Sequence, residues 1–204
     1  MNPQEIEVKI YVTNLAIIEE KLLELGANRV QERIHERNMR YDTPDGSLTT
    51  KGIVLRLRED SGIKLTYKTR GTLERGISTR EELEVEVSDF DTMEAILQKF
   101  GFEQHMFYEK YRTVYTYNGT YIMLDELPFG NFVEVEGDTE GEIEGVLAEL
   151  GLQDIERQGD SYSKLFEHVK HHMGLTFHNL TFENFQDIDV PQSAFIAPGS
   201  IVIR

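Results

Sequence analysis

The chain has 204 residues, 39% hydrophobic and 28% charged, which suits one folded domain with an appendage. Its formal net charge of −16 argues against a polynucleotide partner, whose binding draws on basic surface; the absence of cysteine removes disulfides and thiolate metal sites. No apolar run approaches the ~20 residues that span a bilayer, and no signal-like stretch precedes the charged first segment. The expected setting is the cytoplasm, with neither membrane nor nucleic acid as partner.

The first predicted strand is Glu5-Ile6-Glu7-Val8-Lys9-Ile10-Tyr11-Val12. Strand side chains alternate with period two, so Glu5, Glu7, Lys9 and Tyr11 share one face and the aliphatics the other. Asn14 to Leu25 reads as a helix, with Asn14 as N-cap and Gly26 as its stop. A strand follows over Ile34–Tyr41, then the turn Asp42-Thr43-Pro44-Asp45-Gly46. Val54–Glu59 and Ile63–Arg70 are strands around the turn Asp60-Ser61-Gly62. Gly71–Gly76 reads as a mobile loop and Arg80–Val87 as a strand. Asp89–Phe100 is helical. Lys110–Tyr117 and Tyr121–Asp125 form a hairpin through Asn118-Gly119, and Asn131–Glu136 is a further strand. Glu140–Leu150 and Ser161–His172 are helices. After Gly174 the composition changes. Residues 174–204 are expected to form an extended arm that packs on the 1–173 domain or on a second subunit, giving a homodimer.

About eight strands, mostly antiparallel, share one property. Charged side chains hold one face and aliphatic side chains the other. Closing them with the charges inward gives a hydrophilic tunnel whose apolar outside is covered by helices, an α+β fold around a closed eight-stranded barrel. For any one such strand a solvated face is the better reading; it weakens across six strands, because solvated faces rarely cluster charge by type. The acids Glu5, Glu7, Glu82, Glu84, Glu86, Asp125, Glu134 and Glu136 are hard oxygen ligands suited to Mg²⁺ or Mn²⁺. The bases Lys9, Arg56, Arg58, Lys64, Lys68, Arg80 and Arg112 suit phosphate oxygens. A metal–polyphosphate complex would complete the charge balance. Phosphoryl chemistry of that kind needs positioning and neutralisation rather than a protein nucleophile. There is no P-loop, no Rossmann glycine pattern, and no metal spacing among the histidines.

Glu5-Ile6-Glu7-Val8-Lys9 resembles the Glu-x-Glu-x-Lys signature of the CYTH superfamily, the triphosphate tunnel metalloenzymes. The resemblance continues in Tyr41-Asp42-Thr43-Pro44, Leu55-Arg56-Leu57-Arg58, Leu65-Thr66-Tyr67-Lys68, Arg80-x-Glu82-x-Glu84, Leu124-Asp125-Glu126 with Phe132-Val133-Glu134-Val135-Glu136, and Ser161-Tyr162-Ser163-Lys164-Leu165. It covers roughly residues 4 to 170. It implies an eight-stranded tunnel with a divalent metal. Glu5, Glu7, Glu134 and Glu136 resemble the metal-side acids, joined by Asp125 and by Glu82, Glu84 or Glu86. Lys9, Arg56, Arg58, Lys68 and Arg112 resemble the triphosphate-binding bases, and Lys164 falls in the last motif. Lys68 ranks above Lys64 because the Leu-Thr-x-Lys pattern ends on it.

The family includes class IV adenylate cyclases, thiamine triphosphatases and inorganic tripolyphosphatases. The segment from Leu124 to Glu136 looks most like the cyclase branch. The thiamine triphosphatases tend to carry two tyrosines before Asp-Thr-Pro, the first paired with the tunnel lysine; here that position is Arg40, and Tyr41 alone remains. The resemblance therefore implies cyclisation of ATP to cyclic AMP and pyrophosphate, with Lys9, Lys68, Arg112 and Tyr41 as candidate catalytic residues. Hydrolysis of thiamine triphosphate or tripolyphosphate is the alternative. A binding module without turnover and a structural barrel are rivals of other classes. The loops around Gly71–Gly76 and Arg33–Arg40 are expected to select the non-phosphate end of the substrate.

Overall fold

The computed structural model describes residues 4–195. Nine strands form one antiparallel sheet: β1 (Gln4–Val12), β2 (Asn28–Asp42), β3 (Val54–Glu59), β4 (Ile63–Lys68), β5 (Thr72–Glu74), β6 (Ile77–Val87), β7 (Glu103–Tyr117), β8 (Thr120–Leu127) and β9 (Gly130–Glu136). Their order is β1-β9-β8-β7-β2-β3-β4-β6, and β1 pairs again with β6 through Gln4–Val8, which closes an eight-stranded barrel. Strand β5 hangs on β6 as a ninth, within the stretch that the sequence reads as a loop. The barrel with helices outside is the expected α+β architecture.

Two strands are much longer than their alternation suggests. Both β2 and β7 run for 15 residues and pair along nearly their whole length. The first half of β2, Asn28-Arg29-Val30-Gln31-Glu32-Arg33, is polar on both faces, so no period-two signal marks it. Pairing with β7 holds it instead, through register shifts near residues 29–34 and 40–41. The β7–β8 turn is the Asn118-Gly119 hairpin, with φ of 47° and 82° at the two residues.

The helices cover the outside. Helix α1 (Leu15–Glu24) and α4 (Glu140–Leu150) bury Ile18, Leu22, Ile143 and Leu147 against Val8, Ile10, Val133 and Val135. Short α2 (Ser47–Lys51) and α3 (Phe90–Lys99) cover Leu55 and Leu57. Asn14, Asp89, Thr139 and Ser161 cap α1, α3, α4 and α5 (Tyr162–Met173) with side-chain oxygens. The cover is incomplete: Leu83 and Val85 of β6 stay more than half exposed.

Helix α5 and the arm close one end of the barrel. The rings of Tyr11 and Phe132 point inward from paired positions on β1 and β9, and Tyr162 of α5 packs edge-on against Phe132. Phe195 joins them, 5.0 Å from Tyr11 and 5.4 Å from Phe129 between ring centres. Leu180 exchanges backbone hydrogen bonds with Phe107 and Glu109 of β7 and is fully buried. The apolar stretch Ile201–Ile203, singled out in the sequence, lies outside the described residues.

Candidate active site

The inward faces of the strands enclose a cavity of about 530 Å³, lined by nine basic and eight acidic side chains. Its wall is thus not acidic, although the whole chain carries −16. Alternation explains the sorting. Each strand spends its even or odd positions on the outer apolar core, and the remaining positions fall inward.

Three ionic groups fill the wall. In the first, Glu5 accepts from Lys68 (2.7 Å) and Arg80 (2.6 Å), Glu7 accepts from Arg80 (2.5 Å), and Lys68 also reaches Glu82 (2.7 Å). Burial pushes the Glu5 carboxyl up, but Lys68 and Arg80 outweigh it and hold it below the usual carboxylate range. In the second, Glu134 bridges Lys9 (2.7 Å) and Arg112, and Arg112 binds Asp125 through two bonds of 2.6 Å. Lys110 (2.9 Å) and the Tyr162 hydroxyl (2.8 Å) also donate to Asp125. In the third, near the opposite mouth, Glu84 meets Lys64 (3.0 Å) and Arg58 (3.3 Å), and Arg58 also reaches Asp60 (3.2 Å).

Two like-charged pairs stand out from this pairing. Glu7 and Glu136 are direct neighbours in the β1–β9 register. Among the described residues no basic side chain bonds to Glu136. Burial first, then Glu5 and Glu7, raise its carboxyl to about 7. Arg40 and Arg56 are direct neighbours in the β2–β3 register. Like charges placed opposite one another are destabilising unless something lies between them. Arg40 donates to Ser163 Oγ (2.6 Å), pairs with no carboxylate among the described residues, and keeps a buried Nε without a partner. The buried Nε of Arg56 also has none; its other nitrogens reach Tyr108 Oη (3.2 Å) and Thr66 Oγ1 (3.3 Å), with the Glu84 carboxylate at 4.0 Å.

The cavity brings together Glu5, Glu7, Lys9, Arg56, Arg58, Lys64, Lys68, Arg80, Glu82, Glu84, Arg112, Glu134 and Glu136. Four of the candidate residues fall elsewhere. Tyr41 faces outward, because its neighbour Arg40 takes the inward position; its buried ring packs beside Leu55 and Leu97, and its hydroxyl donates to Glu94 (2.7 Å). That placement removes it as a catalytic group in the tunnel. Lys164 lies outside the cavity on α5 and pairs with Asp160 (2.5 Å). Glu86 is exposed and lines no part of the cavity. Asp125 is wholly buried behind Arg112 and Lys110, so it organises bases rather than facing the cavity. Sequence reading missed Glu36, Tyr108, Lys110 and the α5 residues Ser161, Tyr162 and Ser163. The first three continue the same alternation on β2 and β7 and were legible from it. The α5 residues were not, because nothing local says that a helix start enters a barrel end.

A divalent cation fits part of this wall. Among the described residues no three acidic or histidine side chains converge as a finished ligand shell. The raised Glu136 carboxyl beside Glu7 and Glu5 is nonetheless the chemistry that a cation relieves, since bound metal favours the ionised form of its ligands.

A CYTH domain pattern matches residues 3–162, most of the chain. The chain belongs to the CYTH family. It is similar to the adenylate cyclase CyaB of Aeromonas hydrophila, 25% identical over 175 residues that cover 80% of this chain and 88% of that one. It is similar to MJ0240 of Methanocaldococcus jannaschii, a candidate adenylate cyclase, at 28% identity over 65% of this chain and 75% of the other. Among solved structures, a candidate adenylyl cyclase from Hippeastrum, described as having a dominant triphosphatase activity, superposes with a TM-score of 0.59. That match covers 85% of this chain and 97% of the other at 23% identity, a likeness of fold. Nearly all of α5 and the whole arm lie beyond the family pattern. Family and relatives together support an enzyme, and no helix among the described residues is long and apolar enough to cross a membrane.

Proposed function

We propose that the protein is a Mg²⁺- or Mn²⁺-dependent enzyme that binds a nucleoside triphosphate in the tunnel and converts ATP to cyclic AMP and pyrophosphate. The observation that carries the reading is the coexistence, in one cavity, of an opposed cation pair, Arg40–Arg56, in which Arg40 has no carboxylate partner among the described residues and Arg56 only a 4.0 Å approach to Glu84, and an opposed acid pair, Glu7–Glu136. The first needs an anion and the second a cation. A metal–triphosphate complex brings both. The named cyclase relatives support the nucleotide.

Cyclisation joins the ribose 3′ oxygen to the α-phosphorus and breaks the bond to the β-phosphate, releasing pyrophosphate and the hydroxyl proton. Bound at Glu5, Glu7 and Glu136, a divalent metal would neutralise charge and lower the pKa of the hydroxyl. Lys9, Lys68, Arg80 and Arg112 pair with carboxylates. Triphosphate oxygens compete for them as charge-assisted acceptors and grip the leaving pyrophosphate. The gain in rate comes from holding three phosphates in line, with no covalent intermediate on the chain.

A triphosphatase is the second reading, and Tyr108 favours it. Tyr108 is buried at the tunnel wall beside Arg56. Burial pushes its phenol up, but Arg56 and Lys110 outweigh it and hold it below the usual value. A phenol so placed can order water at a terminal phosphorus, the role that position 40 cannot fill as arginine.

Product analysis decides. ATP, GTP, thiamine triphosphate and tripolyphosphate are incubated with each metal. Cyclic AMP and pyrophosphate from ATP support the cyclase. Inorganic phosphate as the main product, with fast tripolyphosphate turnover, replaces it with the triphosphatase. Binding with no product from any substrate leaves a non-catalytic binding module.

A further inference from the structure

We propose that Arg40 is a specificity-determining residue that, together with Arg56, receives the dianionic terminal phosphoryl group of the substrate at the α5-covered end of the tunnel. This inference rests on the triphosphate reading above and gives that substrate a direction in the tunnel. The family resemblance assigns a tyrosine to position 40 in one branch and no role to an arginine there.

The location comes first. Arg40 is paired in register with Met106, which packs in the apolar cluster formed by α5, the arm and the aromatic end of the barrel. Its guanidinium donates to Ser163 of α5 at 2.6 Å. The rings of Tyr11, Phe132, Tyr162 and Phe195 fill that end. At the far end of the same wall, Tyr121 is about half exposed and Arg58, Lys64 and Glu84 sit at the rim. A nucleoside is too bulky for the filled end. It must remain toward the open rim, which sends the terminal phosphate inward.

The chemistry comes second. The other buried arginines and lysines of the tunnel have carboxylate partners. Arg40 has a serine hydroxyl, an unused Nε, and another guanidinium as its cross-strand neighbour. A group with two negative charges and three oxygens neutralises both guanidinium groups and can occupy both unused Nε donors. A singly charged diester leaves one cation uncompensated. Ser163 on α5, itself part of the cavity lining, holds Arg40 by its 2.6 Å hydrogen bond, so the donor fork is set before binding.

The test uses the full chain with Mg²⁺ and an uncleavable ATP analogue with methylene groups at both anhydride positions. Its partner probe is the same analogue carrying a methyl ester on the terminal phosphate. Calorimetry measures both on the native protein, Arg40→Gln and Arg40→Lys. The native protein is expected to bind the ester at least tenfold more weakly. Arg40→Gln should weaken the unesterified analogue at least tenfold and bind the two probes alike, while Arg40→Lys recovers part of the loss. The ligand-free Arg40→Gln protein should melt no lower than the native one, because a like-charged neighbour has gone. Arg40→Gln binding the unesterified analogue as tightly as the native protein overturns the inference. So does an equal loss for both probes, which would place Arg40 away from the terminal phosphate. A native protein that binds neither probe overturns the triphosphate reading itself.

Discussion

Glu136 stands directly opposite Glu7 on neighbouring strands, with both carboxylates on the cavity wall and, among the described residues, only Glu7 held by a base, Arg80. Its carboxyl is raised to about 7 from an ordinary 4.5, by burial and by Glu5 and Glu7. Below 4.5 it is protonated whether the chain is folded or not. As pH rises from 4.5 towards 7, the unfolded chain ionises first, so the folded state loses stability over that window and no further above it. Glu136→Gln should abolish this loss. The variant is expected to melt higher than the native protein at pH 8, by a few kcal/mol at most, and to match it at pH 4. Equal melting curves at pH 8 would show that folding does not raise the Glu136 carboxyl.

Metal binding should couple to the same group. A cation at Glu7 and Glu136 favours the ionised carboxyl, so uptake of Mg²⁺ releases a proton near pH 6 and tightens between pH 6 and 8. Calorimetry in two buffers of different ionisation enthalpy reads the proton directly. Chelator should stop turnover and Mg²⁺ or Mn²⁺ restore it, while Glu7→Gln loses turnover and keeps its fold. Normal Mg²⁺-dependent turnover by Glu7→Gln would remove that residue from the metal side.

Asp125 is expected to act on stability before it acts on chemistry. It is wholly buried and accepts from Lys110, Arg112 and Tyr162. Asp125→Asn leaves buried cations short of a counter-charge, a change that typically costs about 3–5 kcal/mol. Urea unfolding should show that loss, with Mg²⁺ affinity little changed in the protein that remains folded. A stable Asp125→Asn protein with lost Mg²⁺ affinity would return Asp125 to the metal.

Tyr41→Phe separates the outer face from the tunnel. It removes one hydrogen bond to Glu94, worth about 1 kcal/mol, and should leave turnover within a factor of about two. Tyr108→Phe, on the tunnel wall, should instead reduce turnover most strongly for the substrate hydrolysed at its terminal phosphate. Loss of activity in Tyr41→Phe at unchanged stability would contradict the outward placement.

The arm should behave as part of the core. Leu180, Phe185 and Phe195 are nearly inaccessible to solvent, and Phe195 completes the aromatic end of the barrel. The sequence reads residues 174–204 as an appended arm, which truncation at Gly174 removes. With these contacts in view, the truncation should unfold more readily, and Phe195→Ala alone should cost about 3 kcal/mol. A truncated protein with the native melting temperature would show that the arm rests on the barrel without supporting it.

The sequence by itself determined which side chains share a face. Period-two alternation in β1, β3, β4, β6 and β9 follows from strand geometry, so the inward position of Glu5, Glu7, Lys9, Arg56, Arg58, Lys68, Glu134 and Glu136 was readable before any pairing was known. Tertiary structure decided what alternation cannot carry. Register chose which inward residues meet: Arg40 with Arg56, and Glu7 with Glu136. Closure extended β2 and β7 through polar stretches that have no pattern of their own, because backbone pairing rather than side-chain burial holds them. The same closure set Tyr41 outside by giving the inward position to Arg40. Docking of α5 and the arm then filled one end of the tunnel. That contact joins residues more than a hundred positions apart, where local propensity has nothing to say.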